Sequence, residues 1–245
     1  AGRVREGTDK LVETLNTMKI EGYEDIQIIF KESTGHRAVL VLRGEGLSDK
    51  ITDADPKHEG NKPKTVKALD DSEEAKYTAD LVNKFVEQSY EMLKEHPVNL
   101  KRIEEGKNPA NSIWFWGEGT KPGLDLFKNV YGLDASVISA VDLIKGIAKL
   151  TKMNVLEVEN ATGTVHTNFD GKAQAALDTL LKDGQDLVYV HMEAPDECGH
   201  HGDVKNKIYS IEQIDNVVKI IHDGLKQMGE DFAFLILPDH PTPLS

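Results

Sequence analysis

From residue 113 onward, short aliphatic runs alternate with amphipathic stretches. Runs at 113–116, 135–139, 155–158, 187–192 and 232–237 carry the residues of buried strands, and helical spacing occupies 141–149, 172–181 and 206–228. In the last of these, Ile208, Ile211, Ile214, Val218, Ile221 and Leu225 fall on one side. Repetition of strand, helix, strand restricts topology sharply, because parallel neighbours need a crossover of about a dozen residues or more. The fold class expected is α/β, a mostly parallel sheet covered by helices, with each strand buried on both faces.

The first 105 residues follow a different grammar, so a boundary is expected between 1–105 and 106–245. Val4, Leu11, Val12 and Leu15 make an imperfect helical stripe across 3–18. Two aliphatic runs, 26–30 and 38–42, flank a polar turn containing Gly35 and predict a hairpin. The segment 44–67 is rich in Asp, Gly, Lys and Pro and reads as a long exposed loop. A helix over 72–94 follows, with Ser72 as N-cap and Ala75, Ala79, Val82, Phe85, Val86, Tyr90 and Leu93 on one side. His96-Pro97 ends it.

With 39% apolar and 29% charged residues, disorder is excluded as the reading. The net charge of −13, with no dense basic stripe, argues against a nucleic-acid partner. An acidic protein that handles phosphates must bring its own cations. No apolar run reaches the ~20 residues that cross a bilayer, so no membrane partner is expected. The single cysteine, Cys198, excludes an internal disulfide and suits the cytoplasm. The start has neither an initiator Met nor signal-peptide shape, and the end follows a polar cluster closely, so truncation at both ends is expected.

In such sheets ligands bind beyond the carboxyl ends of the strands. Two runs end in metal-type residues. After 187–192 comes Glu193-Ala-Pro-Asp196-Glu-Cys-Gly-His200-His-Gly-Asp203, and after 232–237 comes Asp239-His240. A right-handed crossover by the helix between them brings both clusters to one sheet edge. Carboxylate oxygens with imidazole nitrogens suit Mn²⁺, Zn²⁺ or a similar ion, and paired ions can clamp the attacking and leaving oxygens of phosphoryl transfer. Blander readings stand beside this one: Asp196 as a turn or capping residue, His200-His201 as a solvated pair, Asp239-His240-Pro241 as a polar turn. His191 and His222, inside a strand and a helix, are equally well explained by packing.

These segments, with Asp239-His-Pro-Thr-Pro243, Ile211-Glu212 and Asp215, resemble the archaeal-type cofactor-independent phosphoglycerate mutases of the alkaline phosphatase superfamily. Upstream, His96-Pro-Val-Asn99, Ile113-Trp-Phe-Trp-Gly117, Ile138-Ser-Ala-Val-Asp-Leu-Ile-Lys-Gly146 and Gly171-Lys172-Ala173 look like family segments in family order. The resemblance implies a partial phosphatase-like core and a smaller α+β inserted domain, mostly within 1–105, that closes over the substrate. It implies two divalent ions (Mn, Zn or Mg), with Asp196 and His200 on one and Asp239 and His240 on the other. The nucleophilic Ser, an N-terminal Asp and a third His have no counterpart here and are expected outside 1–245. Cys198 departs from the small residue expected at its position. The implied chemistry interconverts 3-phosphoglycerate and 2-phosphoglycerate through a phosphoserine. Arg37 and Arg43 match the family's His-Arg-x-Val-Leu-x-x-Arg-Gly stretch and are candidates for bidentate contact with carboxylate or phosphate, alongside His36, Arg102 and Lys145. Exposed surface arginines are the alternative. Two rival functions stay open: a related phosphotransferase such as a homoserine kinase or phosphatase, and a non-catalytic metal-binding module.

Overall fold

The computed structural model describes all residues except 1–3, 5, 34, 35, 59, 230 and 245. It divides into two compact units, Ala1–Pro122 and Gly123–Ser245, so the contact boundary falls later than the change of grammar at 105/106.

In the first unit α1 (Thr8–Leu15) buries Leu11 and Leu15 against the hairpin of β1 (Gln27–Glu32) and β2 (Ala38–Arg43). The register Gln27↔Arg43 to Glu32↔Ala38 is antiparallel, and Ser33 N–H donates to Arg37 O (2.9 Å) to close the turn. Gly35, assigned to that turn, lies outside the described residues. Helix α2 (Glu73–Lys94) starts where the sequence predicts it, with Ser72 Oγ accepting from Ala75 N–H. Leu81 and Phe85 are central to its packing, whereas Tyr90 points outward at 46% exposure, the apolar side being narrower than its stripe suggests.

Two expectations are corrected in this unit. The segment 44–67 is not simply an exposed loop. Thr52 N–H bonds Lys67 O and Lys64 N–H bonds Ala54 O, and Ile51, Ala54 and Val66 form a small core with Ala79 and Val82. The run 113–116 alternates inward and outward as a strand does, and Ala54 N–H donates to Phe115 O, but no ladder forms. The predicted stop holds, α2 ending at Lys94 before His96-Pro97, and a new helix begins there, α3 (Pro97–Glu104), with the His96 side chain capping Val98 N–H.

Asn99, fully buried in α3, ties this end of the unit together. Its Nδ2 donates to Leu93 O (2.8 Å) and Ala110 O (3.2 Å), and its Oδ1 accepts from Ala110 N–H (2.7 Å). Asn99→Ala leaves three main-chain groups without their partner, one of them buried and two half-buried, so a loss of about 3 kcal/mol is expected in urea unfolding. A loss under about 1 kcal/mol would mean that these bonds are replaced by water.

The second unit holds α4 (Phe127–Tyr131), β3 (Ala135–Ile138), α5 (Asp142–Leu150), β4 (Asn154–Leu156), α6 (Phe169–Leu181), β5 (Leu187–Val190), α7 (Ala194–His200) and α8 (Val204–Met228). The sheet order is β4-β3-β5 and both pairings are parallel, as the crossover helices require. Central β3 is buried throughout. On β5, however, Tyr189 is exposed, so burial on both faces holds only for the middle strand. Phe169, Ala173 and Ala176 of α6 and Val217, Ile221 and Leu225 of α8 form the core with Ile138.

The run 232–237 is not a strand. It has the right residues but lies in no ladder, and Leu235, Ile236 and Leu237 are exposed. Propensity expresses a fit to a neighbouring strand rather than a preference of the isolated backbone.

Candidate functional site

Helix α7 leaves the carboxyl end of β5 after three residues, with Pro195 in its first turn. Asp196 N–H and Glu197 N–H both bond Glu193 O (2.9 and 3.2 Å), which opens the helix. The spacing of four puts Asp196 and His200 on one side of it, with His200 Nε2 3.5 Å from Asp196 Oδ2.

The segment after 232–237 returns to this helix although it follows no strand. Thr242 Oγ1 donates to Asp196 Oδ1 and lies 3.3 Å from His240 Nδ1. Lys207 of α8 donates to Thr242 O (2.7 Å), fixing the main chain from below. Gly199 permits the approach: a Cβ there meets Thr242 O and Cγ2 at 2.8 Å. Gly199, His200, His240, Pro241, Thr242 and Pro243 line a shallow opening. Asp239 borders it, its Oδ1 accepting from His240 N–H (3.0 Å), and its side chain is 75% exposed.

Behind the opening lies a buried group of polar side chains. Lys172 of α6 is 1% exposed, and its ammonium donates to His191 O (3.3 Å) and Thr162 O (3.5 Å). Burial holds this ammonium below the usual lysine range, with Glu193 pulling the other way. His191 Nδ1 lies 3.4 Å from Ser139 Oγ, and its imidazole is pushed down by burial and then by Lys172, against the pull of Asp239 and Asp196. Cys198 is buried and its thiol is raised by that burial, as befits a packing residue.

The remaining candidates lie elsewhere. His36, Arg37 and Arg43 are exposed on the hairpin. Arg37 and Arg43 sit at opposite ends of β2, about 20 Å apart along the strand. Alternation gives them the same outward face as Val39 and Val41, while Leu40 and Leu42 pack inward. Arg102 donates through Nε to Asn108 O (3.0 Å), and Lys145 pairs with Glu157 (2.6 Å), so both have structural partners.

The family model for 2,3-bisphosphoglycerate-independent phosphoglycerate mutase matches residues 1–99. The phosphoglycerate mutase of that type from Methanosphaera stadtmanae is 52% identical over the whole chain, and one from Methanothermobacter thermautotrophicus is 46% identical. Over its whole length the chain is thus similar to 2,3-bisphosphoglycerate-independent phosphoglycerate mutases, and its first 99 residues match their family model. It spans 58% of the length of each of those two relatives. A cofactor-independent phosphoglycerate mutase from Thermoplasma acidophilum superposes with a TM-score of 0.63 at 26% identity, covering 94% of this chain and 57% of that one. A protein from Pyrococcus horikoshii gives 0.69 at 25%, covering 91% and 51%.

The sequence alone points to Asp196, His200, Asp239 and His240 but assigns no role to Thr242, Lys207 or Lys172. The Thr242 tie spans 46 residues and leaves no local pattern. Lys172 stands in the Gly171-Lys172-Ala173 segment that carries part of the resemblance, but nothing in that segment shows that its side chain is buried.

Proposed function

We propose that the full-length protein is a metal-dependent isomerase interconverting 3-phosphoglycerate and 2-phosphoglycerate, and that the opening beside α7 is part of its metal site. The observation that carries this reading is the Thr242 tie, which joins His240 to the Asp196–His200 pair. The donor types suit divalent ions of the Mn²⁺ or Zn²⁺ kind. Among the described residues no group of three or more His, Cys, Asp or Glu is close enough to hold an ion, so these residues form part of a ligand set. Asp196 and His200 would hold one ion, and Asp239 and His240 the other.

Bound cations supply charge neutralisation for a phosphoryl group in transfer. The chain's own residues have separable tasks. Thr242 orients the Asp196 carboxylate by donating to one oxygen, leaving the other beside His200. Lys207 holds Thr242, and Gly199 gives it room. In the same reading Arg37 and Arg43 grip the carboxylate or phosphate of substrate, while Arg102 and Lys145, already partnered, are weaker candidates than His36. The assay that tests the function follows turnover of 3-phosphoglycerate by the full-length protein with Mn²⁺, beside homoserine plus ATP. Turnover of homoserine alone would replace the mutase reading by the kinase one.

For the arginines, Arg37→Lys and Arg43→Lys are each expected to lower kcat/KM roughly tenfold with Mn²⁺ affinity unchanged, since Lys loses the two-pronged contact. Unchanged kinetics in both single variants would make them surface arginines.

A further inference from the structure

We propose that Lys172 is a positioning residue for the Asp196–His200 pair, its buried ammonium clamping the junction from which α7 starts; the proposal rests on the metal-site reading above. A fully buried lysine is uncommon unless paired or tied down, and an apolar side chain would fill the same space without the desolvation cost. Lys172 instead joins two segments that approach from different directions. Thr162 belongs to the connection between β4 and α6, and His191 follows β5 directly.

The junction continues from there to the donors. Two residues after His191, Glu193 O accepts the first N–H groups of α7, that of Asp196 among them. The Glu193 side chain lies over Gly163, so close that a Cβ at Gly163 meets its Oε2 at 2.2 Å. Thr162 and Gly163 therefore contact the junction from one side and Lys172 from within. On the far side of the strand end, Ser139 Oγ lies 3.4 Å from His191 Nδ1 and accepts Val141 N–H (3.0 Å), bracing the imidazole. Freed of Lys172, the end of β5 loses the bond that ties His191 O to the Thr162 segment, and the start of α7 with the Asp196 carboxylate moves with it. Ligand geometry tolerates roughly half an ångström of such movement.

The test uses the full-length protein, titrated with Mn²⁺ by calorimetry and melted without metal. Lys172→Met keeps the bulk of the side chain and removes its charge. Lys172→Leu likewise removes the ammonium, with a shorter side chain. Each variant is expected to bind Mn²⁺ roughly 10- to 100-fold more weakly, the range for groups that orient metal ligands, with the metal-free melting midpoint within a few degrees of the parent. A residue that only holds the fold would lower the midpoint and leave the affinity of the folded protein intact. Lys172→Met binding Mn²⁺ within threefold of the parent overturns the proposal; if that variant does not fold, the same result for Lys172→Leu does so. A parent that binds no Mn²⁺ at all fails the metal-site reading itself, and this proposal with it.

Discussion

Residues 1–245 expressed alone are expected to interconvert no phosphoglycerate, even at saturating Mn²⁺. The donors they contribute come close only in part, through Asp196, His200 and His240, and no group of three donors forms among the described residues. A catalytic divalent site usually has three or more protein ligands, so any ion should be loosely held. The serines here are poor substitutes for a dedicated nucleophile. Ser139 is buried, with its Oγ occupied by Val141 N–H and set beside His191, and Ser112 is exposed in the other unit. A nucleophile must stand in line with phosphorus at near-attack distance. Loss of one costs roughly 10⁴- to 10⁶-fold. A coupled mutase assay on this polypeptide beside the full-length protein decides the matter, and activity in the short form, free of host enzyme, sinks the account.

In the full-length protein, Asp196→Asn should lower kcat by at least roughly 10³-fold and weaken Mn²⁺ binding. The amide keeps the shape and the bond to Thr242 but carries no charge. Removing a single neutral donor from a transition-state site already costs about 10²–10³ in rate, so loss of an ionic ligand sets a larger floor. Thr242→Val is the internal comparison. It leaves the carboxylate charged and removes only its orientation, and such losses run at roughly 10- to 100-fold. Calorimetry with Mn²⁺ and steady-state kinetics on both variants give the order. If Asp196→Asn keeps a rate within tenfold of the parent, Asp196 is no ligand and the opening beside α7 is only a polar cleft.

What could be read in advance follows from how locally each feature is encoded. Helix α2 carries its own start signal in Ser72 and an apolar side of 3.6-residue period, and α8 likewise, so both were legible. The parallel sheet followed from the alternation of runs, and β3 and β5 lie within the predicted segments. Helix α7 was missed because seven residues containing Pro, Gly and Cys show no periodicity, although that helix sets the spacing of Asp196 and His200. The fold of 44–67 depends on Ile51 and Val66 finding Ala79 and Val82, which no window of that segment contains. Thr242 and Lys172 stand inside segments that carry the resemblance, but they act through partners 46 and 19 residues away, which no motif states. For the run 232–237 the relation is reversed, since its strand-like sequence forms no strand without a partner.

That unpaired run also bears on handling. Phe232-Ala-Phe-Leu-Ile-Leu237 is six uncharged residues of high β-propensity with no proline or glycine, and three of its aliphatic side chains are largely in solvent. Segments of this composition, when they lie exposed, stack between copies into dry, interdigitated sheets. Concentrated solutions of residues 1–245 are therefore prone to self-association that begins at this stretch. A charge placed on it, such as Leu235→Lys, is the gatekeeper that would keep the chain monodisperse.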